Sequence, residues 1–543
     1  MNVKHLPISL LLILIHLFPA QTHSCTNVLV SRGASADGSV MTSWTYDVAG
    51  FAQPLHHYPG GEYPEGDSLA VYGFHAGEFL GKIHQVRRTY KVTGNMNEKQ
   101  VAITETTFTG RSELHDGPGL FDYGNLIWIT LQRASTAREA IQIMNDLAYT
   151  YGYKDTGETF SIADKDEVWI MDFIGKGKHG RGAVWVAARV PDGYIAAHAN
   201  QSRIRKVNWR DKKNWLWSDD VVDFAKEMGW YKGRKKNFSF QEAYAPVTPR
   251  SLLLCESRVW SIYNRAAPSQ QFSADYWRCV EGAEPYPLFI KPDKKVTIQD
   301  MIALLRDHFH DTPYYTGEGI AAGPFNNPYR WRPVTFKLEG DETDYSWERP
   351  ISQPQTAFSF VTQSRNWLPD PIGGICWYSV DDNHSTVFMP LYMGMTQMPR
   401  SLTIADPLRF DWKSAFWTFD LLANYAYGLY GPIIEDIQKE QYRLENRAIV
   451  MVSAVDRAAA ELYKTTPAMA AEYLTDFSVN NAEHVVNRWR EFSFSIFSKY
   501  NDRYIRDEDI LRPTVRGVGY PDSFNRRAVE ERPGYFDVKW RKE

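Results

Sequence analysis

Cys25 stands where a secretory leader would end, and that placement offers it a chemistry that an internal cysteine lacks. Ahead of it come Lys4, the apolar run Ile8 to Phe18, and the polar stretch Gln21-Thr22-His23-Ser24. A short charged segment, an apolar stretch too brief to span a bilayer, and small residues at Thr22 and Ser24 make a signal peptide over residues 1–24. A cut after Ser24 leaves a thiol and a free α-amine on one residue. A thiol titrates near ~8.5 and an α-amine near ~7.7–8.0, so the amine can move the proton while sulfur attacks a carbonyl. Until the cut, that nitrogen is an amide and no base. Two plainer roles also fit the position. Cys25 could be an acylated lipoprotein residue, although Thr22 and His23 match the usual junction poorly. It could instead be half of a structural disulfide, with Cys255, Cys279 and Cys376 as the remaining cysteines.

The elements around Cys25 are those of a hairpin. Residues 25–30 alternate and are rich in β-formers, Asp37-Gly38 is a tight-turn signal, and a second extended run covers 39–46. Antiparallel pairing brings Asp47, at the end of the return strand, back to Cys25. A carboxylate there can hold an ammonium group or orient a thiol. Farther on, 160–163 and 167–173 flank Asp164-Lys165-Asp166, and 183–190 and 194–199 flank Pro191-Asp192-Gly193. Both read as hairpins, so Asn200 ends a return strand just as Asp47 does. Thr136-x-x-Glu139 caps a helix running to about Tyr149, and Thr297-x-x-Asp300 caps another. Strands return at 356–362 and in a hairpin over 374–392, and 414–500 is mostly helical.

Several segments, in order, resemble peptidase family C69, the N-terminal-nucleophile (Ntn) dipeptidases related to penicillin V acylase and bile salt hydrolase. They are CTNVLVSRGASADGSVMTSWTYD from Cys25, Gly94 to Ile103, Glu105-Thr106-Thr107, Val190 to Tyr194, His198 to Ile204, and Ser257-Arg258-Val259-Trp260. Similar text reaches Phe416 to Tyr430. The resemblance implies a four-layer αββα sandwich, a subtype of the α+β class, over residues 25–412, with a helical region at 413–543 packing on or completing it. It implies Cys25 as nucleophile, Asp47 as its hydrogen-bond partner, Asn200 as an oxyanion donor and Arg258 as a further polar member. Thr107 and Trp44 fall to substrate binding. Trp44 is also a departure, because many relatives carry Arg three residues before the Asp. An indole there predicts a more apolar pocket and a less acidic thiol. The expected activity is a cysteine-type dipeptidase, with an acylase acting on non-peptide amides and a non-enzymatic lipoprotein as alternatives.

Composition narrows the rest. The net charge of −4 is mild, and no basic stripe suggests nucleic acid; Lys232 to Lys236 reads as a solvated loop. The 18 Trp and 31 Tyr suit large cores and pockets for peptide-like ligands. No second apolar stretch is long enough to span a membrane, so the mature chain is expected to be exported, periplasmic or extracellular. The four cysteines lack zinc or redox spacing, and His56-His57 has no third ligand. Asp381-Asp382-Asn383-His384 reads as a hairpin turn. No metal or organic cofactor is called for.

Overall fold

The computed structural model describes residues 24–48, 52–74, 76–506 and 514–536. Apart from the backbone of Ser24, the expected leader at 1–24 lies outside the described residues. The first ladder forms as its pattern dictates. Gly38 takes φ +83°, which glycine adopts without steric cost, and the Asp37 carboxylate accepts from Ser35, Ser39 and the Ser39 N–H.

In chain order the principal strands are β1 (Ser24–Val30), β2 (Val40–Asp47), β3 (His57–Tyr58), β4 (Val92–Thr93) and β5 (Met96–Asn97). Next come β6 (Ala102–Phe108), β7 (Gly157–Ala163), β8 (Val168–Gly175), β9 (Ala183–Arg189) and β10 (Ile195–His198). The last are β11 (Trp215–Trp217), β12 (Thr356–Ser364), β13 (Ile375–Val380) and β14 (Met389–Tyr392). Among the described residues they form a six-stranded sheet, β10-β1-β2-β12-β13-β14, and an eight-stranded sheet, β11-β9-β8-β7-β6-β5-β4-β3. Neighbours in both sheets run antiparallel, so the fold is mixed α+β.

The turn at Pro191-Asp192-Gly193 corrects the sequence-based expectation. It joins β9 of the eight-stranded sheet to β10 of the six-stranded sheet, and is therefore a crossing between sheets, not a hairpin. Alternation identifies a strand but carries no information on which sheet it joins.

Helices α1 (Tyr123–Leu131) and α2 (Ala137–Tyr151) set Leu126, Ile141 and Met144 against Phe160, Trp169 and Met171 of the eight-stranded sheet. The Thr136 hydroxyl caps α2 by accepting from the Glu139 N–H, but the Glu139 carboxylate reaches Ser135, so the expected reciprocal box is only half made. Against the six-stranded sheet lie α3 (Ser257–Ala266) and α4 (Ile298–Leu305), whose Val259 and Met301 pack with Val28 and Met41. The α4 box of Thr297 and Asp300 is complete. The C-terminal helices are α5 (Ala415–Ala426), α6 (Tyr430–Thr465) and α7 (Pro467–Lys499). Helix α6 adds Val452 and Val455 to that core, while Arg365 pairs with Asp456 at about 2.5 Å and Arg306 with Glu445 at 2.6 Å. The helical region thus continues the cover of the six-stranded sheet. No helix among the described residues is long and apolar enough to cross a membrane.

Candidate active site

Strand ends converge at one end of the two sheets. The start of β1 (Cys25), the end of β2 (Asp47), the residues after β10 (Ala199, Asn200), the end of β6 (Thr107) and the start of β12 (Thr356) meet there. Cys25 is fully buried and opposite Tyr46, while Asp47 is opposite Ser24. Adjacent strand residues point to opposite faces, so the side chains of Cys25 and Asp47 diverge. The Asp47 carboxylate accepts from the Thr356 hydroxyl at 2.8 Å and lies 3.5 Å from Arg349. Burial pushes Asp47 up to about 6, while Arg349, Thr356, Arg258 and Arg332 pull the other way.

Asn200 is the hub beside the Cys25 backbone. Its Oδ1 accepts from the Cys25 N–H at 3.0 Å and from Arg258 at 2.9 Å, and its Nδ2 donates to the Thr107 carbonyl at 2.7 Å. In this arrangement the amide grips the cysteine nitrogen. Asn200 sits at φ +60°, a left-handed conformation that Asn tolerates better than most residues. The loop beyond it is pinned by Asp172 of β8, which accepts from the Ser202 hydroxyl and the N–H groups of Arg203 and Ile204. Arg203 in turn makes a buried ion pair with Glu256 at 3.0 Å, two residues before Arg258.

Arg258 is fully buried and spends every guanidinium donor on the protein. Nε donates to the Leu254 carbonyl, Nη1 to the Cys25 carbonyl and the Thr26 hydroxyl, and Nη2 to the Ala199 carbonyl and Asn200. It is a clamp that ties the start of β1 to the end of β10. A wide helical turn at Leu252–Glu256 precedes it, a device frequent near functional sites.

The thiol faces a different environment. Cys25 Sγ lies 3.8 Å from Glu105 Oε1, and the Thr107 hydroxyl donates to the same carboxylate at 3.4 Å. Burial first, then the charges of Glu105 and Asp47, push the thiol well above its ordinary range. The Trp44 indole opposes that rise, although its N–H is buried and within hydrogen-bond distance of no acceptor. Trp44 packs edge-on against Tyr46, Phe358 and Phe360, so it is core at least as much as pocket wall. Asn27, one strand period from Cys25, faces β6. Turned so that its nitrogen meets the Ser43 and Glu105 carbonyls, its oxygen meets the Thr104 and Ser161 hydroxyls and the Glu105 N–H. His198, opposite Asn27, has both ring nitrogens engaged, by Thr106 and Ser161 at 2.7 Å each, and burial keeps it neutral.

Sequence reasoning missed Glu158, Thr356, Arg349 and the role of Glu105. Glu105 was visible only within a similar segment, and the others lie far along the chain. Cys25, Cys255, Cys279 and Cys376 are all free thiols, so no disulfide forms among them. Beside Thr356 opens a cavity of about 450 Å³, lined in part by Val48, Arg332, Trp331, Trp417 and Asp381. Elsewhere His308, His310 and His384 bring ring nitrogens within 4.8 Å of one another. His384 already bonds Tyr430 and Gln438, so a metal there would have to break one of those contacts.

The profile of Peptidase family C69 matches residues 24–443. A probable dipeptidase of Salmonella dublin is 25% identical over 395 residues, 68% of this chain and 81% of that protein. A probable dipeptidase of Latilactobacillus sakei is 23% identical over 467 residues, covering 80% and 88%. Dipeptidase A of Lactobacillus helveticus is 24% identical over 445 residues, covering 77% and 85%. With the profile matched across both sheets and the converging strand ends, the chain belongs to peptidase family C69.

Proposed function

We propose that this protein is an exported dipeptidase whose nucleophile is Cys25, freed as the first residue by removal of residues 1–24. The observation that carries this reading is the grip of Asn200 on the Cys25 nitrogen at 3.0 Å, with Arg258 holding the Cys25 carbonyl. Such a grip suits an amine that must stay beside its own thiol. Sulfur attacks the scissile carbonyl while the amine takes the thiol proton. The amine then passes that proton to the departing nitrogen as the C–N bond breaks, leaving an acyl-enzyme that water hydrolyses. His198 is a poor alternative base, since both its nitrogens are committed. Two sheets between helical layers accord with the αββα arrangement of Ntn hydrolases. The names of the similar proteins support a dipeptide as substrate.

N-terminal sequencing of the exported protein, paired with activity on dipeptides, tests this. Cys25 as first residue in the active form is the expected result. A form with a stable extra residue before Cys25 is expected to be inactive. Normal turnover by that extended form would show that the amine is not the base.

A further inference from the structure

Glu105 and Glu158 are both fully buried, and neither has an ion-pair partner among the described residues. In the β6–β7 ladder Thr107 is opposite Glu158 and Glu105 is opposite Phe160. The two glutamates are therefore diagonal neighbours on one face, with Thr107 beside both. Among the described residues neither Glu158 oxygen is within hydrogen-bond distance of a partner, although Glu105 and Thr107 are near enough to act on it, and buried carboxyls are ordinarily paired or hydrogen-bonded. Glu105 Oε1 is 3.8 Å from the candidate nucleophilic sulfur.

We propose that the Glu105–Glu158 pair is a subsite for the α-ammonium group of the substrate's first residue, so that the enzyme takes peptides with a free amino terminus. This inference rests on the reading of Cys25 as nucleophile. In an α-aminoacyl group the ammonium nitrogen is only two bonds, roughly 2.5 Å, from the carbonyl carbon. A carbonyl touching Sγ therefore carries its ammonium into reach of Glu105. An ammonium has three donors and no acceptor, which matches two carboxyls and the neighbouring Thr107 hydroxyl. The same charge would cancel the carboxylate that opposes ionisation of Cys25. Seating the correct substrate would then favour the thiolate, and an N-acylated or amine-free amide would bring no such help.

The test compares alanyl-alanine with propionyl-alanine, which differs in lacking the ammonium group, on the processed chain beginning at Cys25. The wild type should favour alanyl-alanine in kcat/KM by on the order of 100-fold or more, the scale expected for a buried charge pair. Glu105→Gln should cut that preference at least tenfold, and Glu158→Gln should cut it less. A parallel fall on both substrates, with the preference intact, overturns the proposal.

A second arm measures the pH dependence of Cys25 alkylation by iodoacetamide with alaninol, which has the ammonium but no carbonyl, or with propanol. Alaninol should lower the pH midpoint of alkylation in the wild type and not in Glu105→Gln. Equal midpoints with both additives in the wild type overturn the proposal. This arm needs no turnover. A chain that hydrolyses neither substrate but still responds to alaninol would refute the dipeptidase reading and leave the subsite standing.

Discussion

The two sides of Cys25 are electrostatic opposites. On one side three guanidinium groups, Arg258, Arg332 and Arg349, act on the single carboxylate of Asp47, and burial, then repulsion from Arg258 and Arg332, pushes Arg349 well down. On the other, two carboxyls are buried without an ion-pair partner among the described residues. On the cationic side Arg258 is saturated by protein acceptors, while Arg349 Nε is buried without an acceptor among the described residues. On the anionic side Glu105 accepts from Thr107, and Glu158 has no hydrogen-bond partner among the described residues. A saturated guanidinium such as Arg258 fixes geometry, whereas a carboxyl without an ion-pair partner leaves its interaction energy for a ligand.

The largest expected effect removes the group between the two sides. Cys25→Ala should lower kcat by about 10⁴-fold or more while the melting temperature stays near that of wild type, and Cys25→Ser should retain at most weak turnover. Activity of the alanine variant within a few-fold of wild type would remove the reason for comparing the two sides at all.

Breaking the saturated Arg258 clamp should cost fold as well as function. Arg258→Met strips partners from the Cys25, Ala199 and Leu254 carbonyls and from Asn200. We expect a stability loss of about 3–5 kcal/mol by urea denaturation. A loss below about 1 kcal/mol would mean that the clamp is dispensable.

Neutralising a carboxyl on the anionic side should do the reverse. Burial raises Glu105 to about 7 and Asp47 to about 6, both above their unfolded values. The folded state then holds protons that the unfolded state has released. The stability from these groups is fully present below about pH 4 and is lost as pH rises through about 6 for Asp47 and about 7 for Glu105. Glu105→Gln should therefore be more stable than wild type above pH 7, by on the order of 2 kcal/mol, with the gap closing toward pH 4.5. Melting curves across that range would expose a constant offset, which the carboxyl account forbids.

The smallest expected effect sharpens the contrast. Thr356→Val deletes the hydroxyl that donates to Asp47 and should cost about 1 kcal/mol. It should also move the Asp47 titration above about 6, because the charged form loses a donor. An unmoved titration in a carbon-13 NMR experiment would assign control of Asp47 to the arginines alone.

The first ladder and the place of Cys25 in it were legible because alternation and the Asp37-Gly38 turn are local signals. So were the caps at Thr136 and Thr297. The destination of β10 was not, since Pro191 to Gly193 looks the same whether it closes a hairpin or crosses between sheets. Asp47 lies at the strand end where the pairing put it, one register position from the residue opposite Cys25. The partners of Asp47 come from Thr356 and Arg349, some 300 positions away in the chain, and proximity across such separations leaves no local pattern. Glu105 and Glu158 lie in runs that read as ordinary strands. Their signal, an acid inside a segment otherwise fit for burial, becomes informative only once the burial is known.

The Arg258 clamp also bears on what happens to a chain end. A freshly cut terminus is normally the loosest part of a fold, and it frays because one side of it has no continuation. Here the residue that would become the terminus lies on a strand flanked by β2 and β10, and a guanidinium holds its carbonyl at 2.6 Å. Loss of residues 1–24 would therefore leave the first residue about as still as an interior one. Little motional freedom would have to be frozen out each time a substrate arrives.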